Sequence, residues 1–111
     1  MTHLMNLHNN PFVKIKAGTK TVEMRLYDER RQTICVGDNI LFTNIISGEQ
    51  LLVEVISLHV FVNFEQLYAK FDKVAIGYDS SEVADYKDMN QYYTDEQIAR
   101  CGVVGIGIKL C

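Results

Sequence analysis

Long apolar runs are missing from this 111-residue chain: none approaches the roughly 18 residues needed to cross a bilayer. The opening stretch MTHLMNLHNN has neither a basic region nor the long apolar segment of a secretory leader, so the expectation is a cytoplasmic protein with no membrane partner. Cysteine is scarce. Cys35, Cys101 and Cys111 are odd in number and far apart, with no C-x-x-C pair, which predicts free thiols rather than a zinc or redox motif. His3, His8 and His59 lack the His-x-x-x-His spacing or a companion cluster of ligands, so neither a metal site nor a cofactor is expected. Positive net charge is absent too. A formal charge of -3 argues against a chain that coats itself onto polyanions, and no DNA specificity is expected. Linkers rich in Pro, Gly or Ser, internal repeats and low-complexity tracts are all lacking, and with 48% hydrophobic residues the chain fits a single domain spanning 1–111.

What is present is unevenly distributed. Residues 1–31 carry Lys14, Lys16, Lys20, Arg25, Arg30 and Arg31 against Glu23, Asp28 and Glu29, a local excess of positive charge on an acidic chain. This is either a basic face or chance clustering on a solvated surface. The pattern of elements is clearer. Asn10 as N-cap, Pro11 at the first helical position, Phe12 and Ile15 on one face and Gly18 as a left-handed stop predict a short first helix. From Lys20 to Tyr27 the residues alternate, with Val22, Met24 and Leu26 on one face and Thr21, Glu23, Arg25 and Tyr27 on the other, as in a half-buried strand. DERRQT reads as a charged loop. After a Gly37-Asp38 turn, NILFTNII and LLVEVISLHVF stand at hairpin distance and promise the longest β ribbon.

Asn63 with Gln66 and Thr94 with Gln97 are capping-box signatures that start two further helices; Phe64, Leu67, Tyr68 and Phe71 follow the period of a helix on a core. Between them DSSEVADYKDMNQYY is polar and weakly patterned, a short helix or a mobile loop, and residues 79–93 are a possible lid. Tyr92 and Tyr93 either staple the last helix or edge a cleft. The last strand, VVGIGIKL, puts Gly105 and Gly107 on one face, for close approach of a neighbour or for a bend. These elements predict an α+β domain, with a small closed or nearly closed mixed β-barrel flanked by short helices.

The run G-x-K-x-x-E-x-R at Gly18, Lys20, Glu23 and Arg25, the VGD turn at 36–38, NFEQL at 63–67 and the closing YYTDEQIARCGVVGIGI together resemble the ASCH domain, over about Phe12 to Leu110. The resemblance implies a PUA-like barrel whose helices close a cleft, and a role with RNA or modified nucleosides. One branch of the family is an amidohydrolase that removes the acetyl group of N4-acetylcytidine with a Lys, a Thr three residues later and a Glu from the later half. Lys20 matches the lysine, Glu23 stands where that branch has threonine, and Glu82 is the nearest candidate by position for the later acid.

Three functions are therefore open. In a binding protein for a nucleoside or single-stranded RNA, Lys20 and Arg25 contact phosphate or base edges, Glu23 accepts from an exocyclic amine or holds Arg25, and Tyr27 offers a stacking face. In an amidohydrolase, Lys20 and Glu23 are the catalytic candidates, with Glu23 activating water and the two cations stabilising an oxyanion. In a protein-interaction module, Glu23 and Arg25 form an ordinary cross-strand ion pair and Lys20 is solvated. The first two need Lys20 to lie in the turn after Gly18 rather than in the core, because on a straight strand it points away from Glu23 and Arg25.

Overall fold

A strand that the sequence pattern does not announce comes first. In the computed structural model, which describes residues 1–111, β1 (Thr2–Leu7) precedes the first helix and pairs in parallel with β3 (Asn39–Asn44). Met5 and Leu7 point inward and Leu4 outward, the alternation of a strand with one covered face. The parallel pairing explains why local pattern is silent about β1. Its partner begins some 37 residues later, across a crossover that includes α1 (Asn9–Ala17).

Helix α1 buries Phe12 and Ile15 as expected and stops at Gly18, whose φ of 84° is left-handed. Its start differs from expectation. His8 takes the cap position without a side-chain bond, and Pro11 falls third in the helix rather than first. Proline is tolerated there because no amide of the first turn has an intrahelical partner.

Strand β2 (Val22–Leu26), β3, β4 (Gln50–Phe61) and β5 (Val103–Leu110) complete one mixed sheet in the order β1-β3-β4-β5-β2. The expected hairpin is β3–β4, but the longer ribbon is β4–β5, which runs from Val53–Leu110 to Phe61–Val103. A bulge between Val55 and Ser57 bends β4 where it passes Gly107. The sheet curls into a half-barrel rather than a closed one. Its two outer strands, β1 and β2, are not laddered together; instead Arg25 Nη2 donates to Asn6 O at 2.9 Å, and Arg30 Nη2 donates to Leu4 O at 2.9 Å. Two guanidinium groups thus satisfy edge carbonyls of β1 that no strand pairs.

Both faces of the sheet are covered at β2 and β5. Inside the curl, Phe12, Ile15, Ile40, Phe42, Val53, Val55, Val104 and Ile106 form one core. Outside it, Val22, Met24, Leu26 and Val103 pack against Phe64 and Leu67 of α2 (Phe64–Lys70), with Ile76 and Met89 from the following segment. This corrects the expectation of a half-buried β2: every residue of Val22–Leu26 is buried except the partly exposed Arg25. The glycines of β5 belong to the outer face. A Cβ on Gly105 would meet the Phe71 ring, and one on Gly107 would meet the Ser57 hydroxyl at the bulge, so both readings of that pair, close approach and bend, have a counterpart.

The two capped helices form where expected. Asn63 accepts from Gln66 N, although Gln66 reaches back to Val62 N rather than to the cap residue itself. Thr94 and Gln97 make the reciprocal box that starts α3 (Asp95–Cys101). Residues 71–93 cross between them largely as turns, with one 3-10 helix at Tyr86–Gln91. No helix is long and apolar enough to cross a membrane.

Candidate functional site

The turn after Gly18 is fixed from two sides. Thr19 N and Lys20 N donate to Lys14 O at the end of α1, while Thr21 N and Val22 N both donate to Ala75 O in the segment after α2. The backbone is still changing direction at Lys20, which lets its side chain join Glu23 across an i,i+3 spacing that a straight strand forbids. Its methylenes run over Gly77, where φ is +114° and a Cβ would stand 3.2 Å from Lys20 Cδ. Lys20 is consequently buried, at 7% exposure, which corrects its expected place outside the core.

Antiparallel register sets Glu23 opposite Ile106 and Arg25 opposite Val104, so both side chains belong to the inner face of the half-barrel, at its unladdered edge. There they meet Lys20. Lys20 Nζ lies 2.8 Å from Glu23 Oε1; Arg25 Nε and Nη2 lie 3.1 and 3.0 Å from Glu23 Oε2. Met24 N also donates to Glu23 Oε1, at 3.2 Å. Burial pushes the Glu23 carboxyl up, yet the charges of Lys20 and Arg25 and their hydrogen bonds outweigh it and hold the group below the usual carboxylate range.

Both oxygens of the carboxylate are engaged within the molecule, Oε1 by Lys20 and the Met24 amide and Oε2 by Arg25. Glu23 is therefore an anchor that orients the two cations, rather than an acceptor turned to a ligand. Lys20 keeps two further N–H groups and Arg25 keeps its Nη1 pair, so this cluster presents donors. It lies on a cleft of about 470 Å³ walled by α1, β2 and the segment 76–93.

The remaining walls include residues the sequence did not single out. Tyr68 OH and Tyr78 OH are 3.0 Å apart, and Tyr78 donates to Asp88 Oδ2 at 2.6 Å, so the chain of bonds runs Tyr68 to Tyr78 to Asp88. Burial, followed by the bond to Asp88, raises the Tyr78 phenol, and burial raises Tyr68 and Tyr93. Periodicity gives Tyr68 only as a core residue; the signal for Tyr78 and Asp88 is the mixture of aromatic and acidic residues in the polar stretch, which has no periodicity to place them. Tyr92 and Tyr93 edge the cleft, and Tyr93 also stacks on Phe64 of the outer core.

Other expected groups lie elsewhere. Tyr27 does not line the cleft: it packs against the inner core, and its amide donates to Gly102 O. Glu82 stands at the mouth, 3.8 Å from Lys14 Nζ and accepting from Asp79 N, rather than on Lys20 or Glu23. Lys14 faces the cleft but is committed to Gly77 O and Asp79. Of the remaining basic residues, Lys16 pairs with Glu49, Arg31 with Asp28, and Arg30 with the Leu4 carbonyl. No cluster of His, Cys, Asp and Glu has the makings of a metal site.

The comparisons with known proteins agree with one another. The family model described as "ASCH domain" matches residues 5–110. Hypothetical protein PH0355, a crystal structure, is 31% identical, covers 100% of both chains and superposes with a TM-score of 0.85. Protein PF0455 from Pyrococcus furiosus, a solution NMR structure, is 29% identical over 99% of this chain and 97% of its own, with a TM-score of 0.75. The ASCH domain from Lactobacillus crispatus is 14% identical over 97% of this chain and 79% of its own, with a TM-score of 0.68, a likeness of fold. No curated protein matches. With the match running from β1 through β5 and Lys20, Glu23 and Arg25 of the signature gathered at one cleft, the chain belongs to the ASCH domain family.

Proposed function

We propose that this domain binds a nucleoside-sized ligand, either a free nucleoside or one base of a single-stranded RNA, in the cleft that holds Lys20, Glu23 and Arg25. The observation that carries the reading is the internal engagement of both Glu23 oxygens, which leaves Lys20 and Arg25 as oriented donors on a cleft of about 470 Å³. That volume lies in the range of about 300 to 1,000 Å³ typical of small-ligand sites. Carbonyl and ring-nitrogen acceptors on a base match such donors, and the tyrosine side chains along the wall supply aromatic surface for its faces. A long groove that tracks a phosphate backbone finds less support, because Lys16, Arg30 and Arg31 are engaged within the molecule. Calorimetric titration with a panel of nucleosides and short single-stranded RNAs tests the reading. Binding that Lys20→Ala removes supports it, and wild-type protein that binds none of the panel overturns it.

The amidohydrolase reading has one observation in its favour: the buried Lys20–Glu23 pair sits on the cleft beside donors suited to a developing oxyanion. Incubation with N4-acetylcytidine and chromatographic detection of cytidine is its direct test. A protein-interaction module would instead show partner binding that Lys20→Ala leaves unchanged.

A further inference from the structure

The charges around the cleft are not matched evenly along its depth. Lys20 and Arg25 share Glu23, which leaves that cluster one positive charge in excess. Towards the mouth the balance reverses. Lys14 Nζ meets two acids, Asp79 at 3.2 Å and Glu82 at 3.8 Å, and both of those carboxylates are at least half exposed. Asp88 lines the same cleft and has no cation partner; its carboxylate accepts from the Tyr78 hydroxyl at 2.6 Å. Tyr78 is in turn braced by Tyr68, so the free carboxylate is held on the wall by two packed rings rather than left to wander.

We propose, resting on the nucleoside reading above, that the cleft takes its ligand acceptor end first against Lys20 and Arg25, and that Asp88, positioned by Tyr78, selects uncharged nucleosides over their 5′-phosphorylated forms. The base inserts because its carbonyl acceptors find donors at the cluster, and the sugar then lies towards Asp88 and Glu82. A 5′-phosphate there adds a charge of about -1.5 to -2 beside acids that have no cation to spare. Repulsion of this kind acts across partly solvated space, so it is weakened by salt.

The alternative is that the phosphate itself reaches the donors of Lys20 and Arg25, which predicts the reverse preference. Calorimetry with cytidine, N4-acetylcytidine and their 5′-monophosphates at 50 and 500 mM salt separates the two. The expected result is at least fivefold weaker binding of each monophosphate at low salt, and a gap reduced by half or more at high salt. Asp88→Asn keeps an oxygen for Tyr78 and removes the charge, so it should narrow the gap in the same way without weakening the uncharged nucleoside more than twofold. Tyr78→Phe, which frees Asp88 from the wall, should narrow it partly. Monophosphates bound as tightly as the nucleosides, or more tightly, overturn the proposal while leaving the nucleoside reading intact. A gap that neither salt nor Asp88→Asn moves overturns the role of Asp88. If the wild-type protein binds none of the four compounds, this inference fails together with the reading on which it rests.

Discussion

Lys20 Nζ stands 2.8 Å from Glu23 Oε1 although both residues are almost withdrawn from solvent, at 7% and 3% exposure. Two opposite charges removed from water repay their desolvation only when geometry is good and the remaining hydrogen-bonding positions are filled. Arg25 and the Met24 amide each bond one oxygen of the acid. The trio is therefore a unit: each member is tolerable because the other two are present.

Removing one member should cost more than a surface pair would. Glu23→Ala leaves two cations together in a buried place, and a loss of about 3 to 5 kcal/mol is expected. Lys20→Ala leaves Glu23 with Arg25 and should cost less, about 1 to 3 kcal/mol, with the double variant well short of the sum. Urea unfolding of the three variants checks this. Losses below about 1 kcal/mol for Glu23→Ala would show that the cluster is as weak as an exposed ion pair.

The same trio sets an acid limit. Burial raises the Glu23 carboxyl, but Lys20 and Arg25 bring it below its ordinary value of 4.5. A group lower in the folded than in the unfolded chain binds fewer protons when folded, so stability rises with pH through that range. Its contribution is complete above 4.5 and is lost as pH falls through the folded value. Asp38 acts in the same direction, lowered to about 2 chiefly by its bond to His3 and then by the Cys35 amide. Unfolding free energy should therefore fall steadily from pH 5 towards pH 2, and Glu23→Gln should flatten the slope. A wild-type profile that is level across this window would contradict the assignment.

Arg25 links the site to the barrel edge, since one guanidinium binds Glu23 and the Asn6 carbonyl of β1. Lysine has no fork with which to hold both. Arg25→Lys should cost about 1 to 3 kcal/mol and loosen β1 selectively. Hydrogen exchange offers the check: amides that bond β1 to β3 should exchange faster in the variant, while those of the β4–β5 ribbon keep their protection. Uniform acceleration, or none, would mean that the clasp does not hold β1.

How much of this was legible depends on distance along the chain. The caps at Asn63 and Thr94, the stop at Gly18 and the β3–β4 hairpin are local, and their residues announce them. The alternation through β2 was right about which residues share a face and wrong about exposure. Periodicity cannot show that a second layer, carried by Ile76 and Met89, covers the face opposite Glu23, nor that β1 approaches its edge. Only strand parity places Tyr27 at the cleft. It shares a face with Glu23 and Arg25 but lies past the end of β2, where its ring turns onto the inner core. Tyr78 and Asp88 come from a stretch without period, and only three-dimensional proximity joins them to Lys20.

Gly105 gives a test of the outer core that leaves the charged trio alone. It lies opposite Met24, on the face turned away from Glu23, and a Cβ there would stand 2.9 Å from Phe71 Cε2 and 3.3 Å from Val22 Cγ1. Phe71 cannot simply swing aside, because its ring is set edge-on against His59 and Phe61, with centroids 5.4 and 6.1 Å away. Gly105→Ala should therefore cost about 1 to 3 kcal/mol as overpacking. If contact with Phe71 is the cause, Phe71→Leu should relieve it. The double variant would then be more stable than the two single losses predict, by at least about 0.5 kcal/mol. Strict additivity would instead place the clash on Val22, whose Cγ1 is the other side-chain neighbour of a Cβ at position 105.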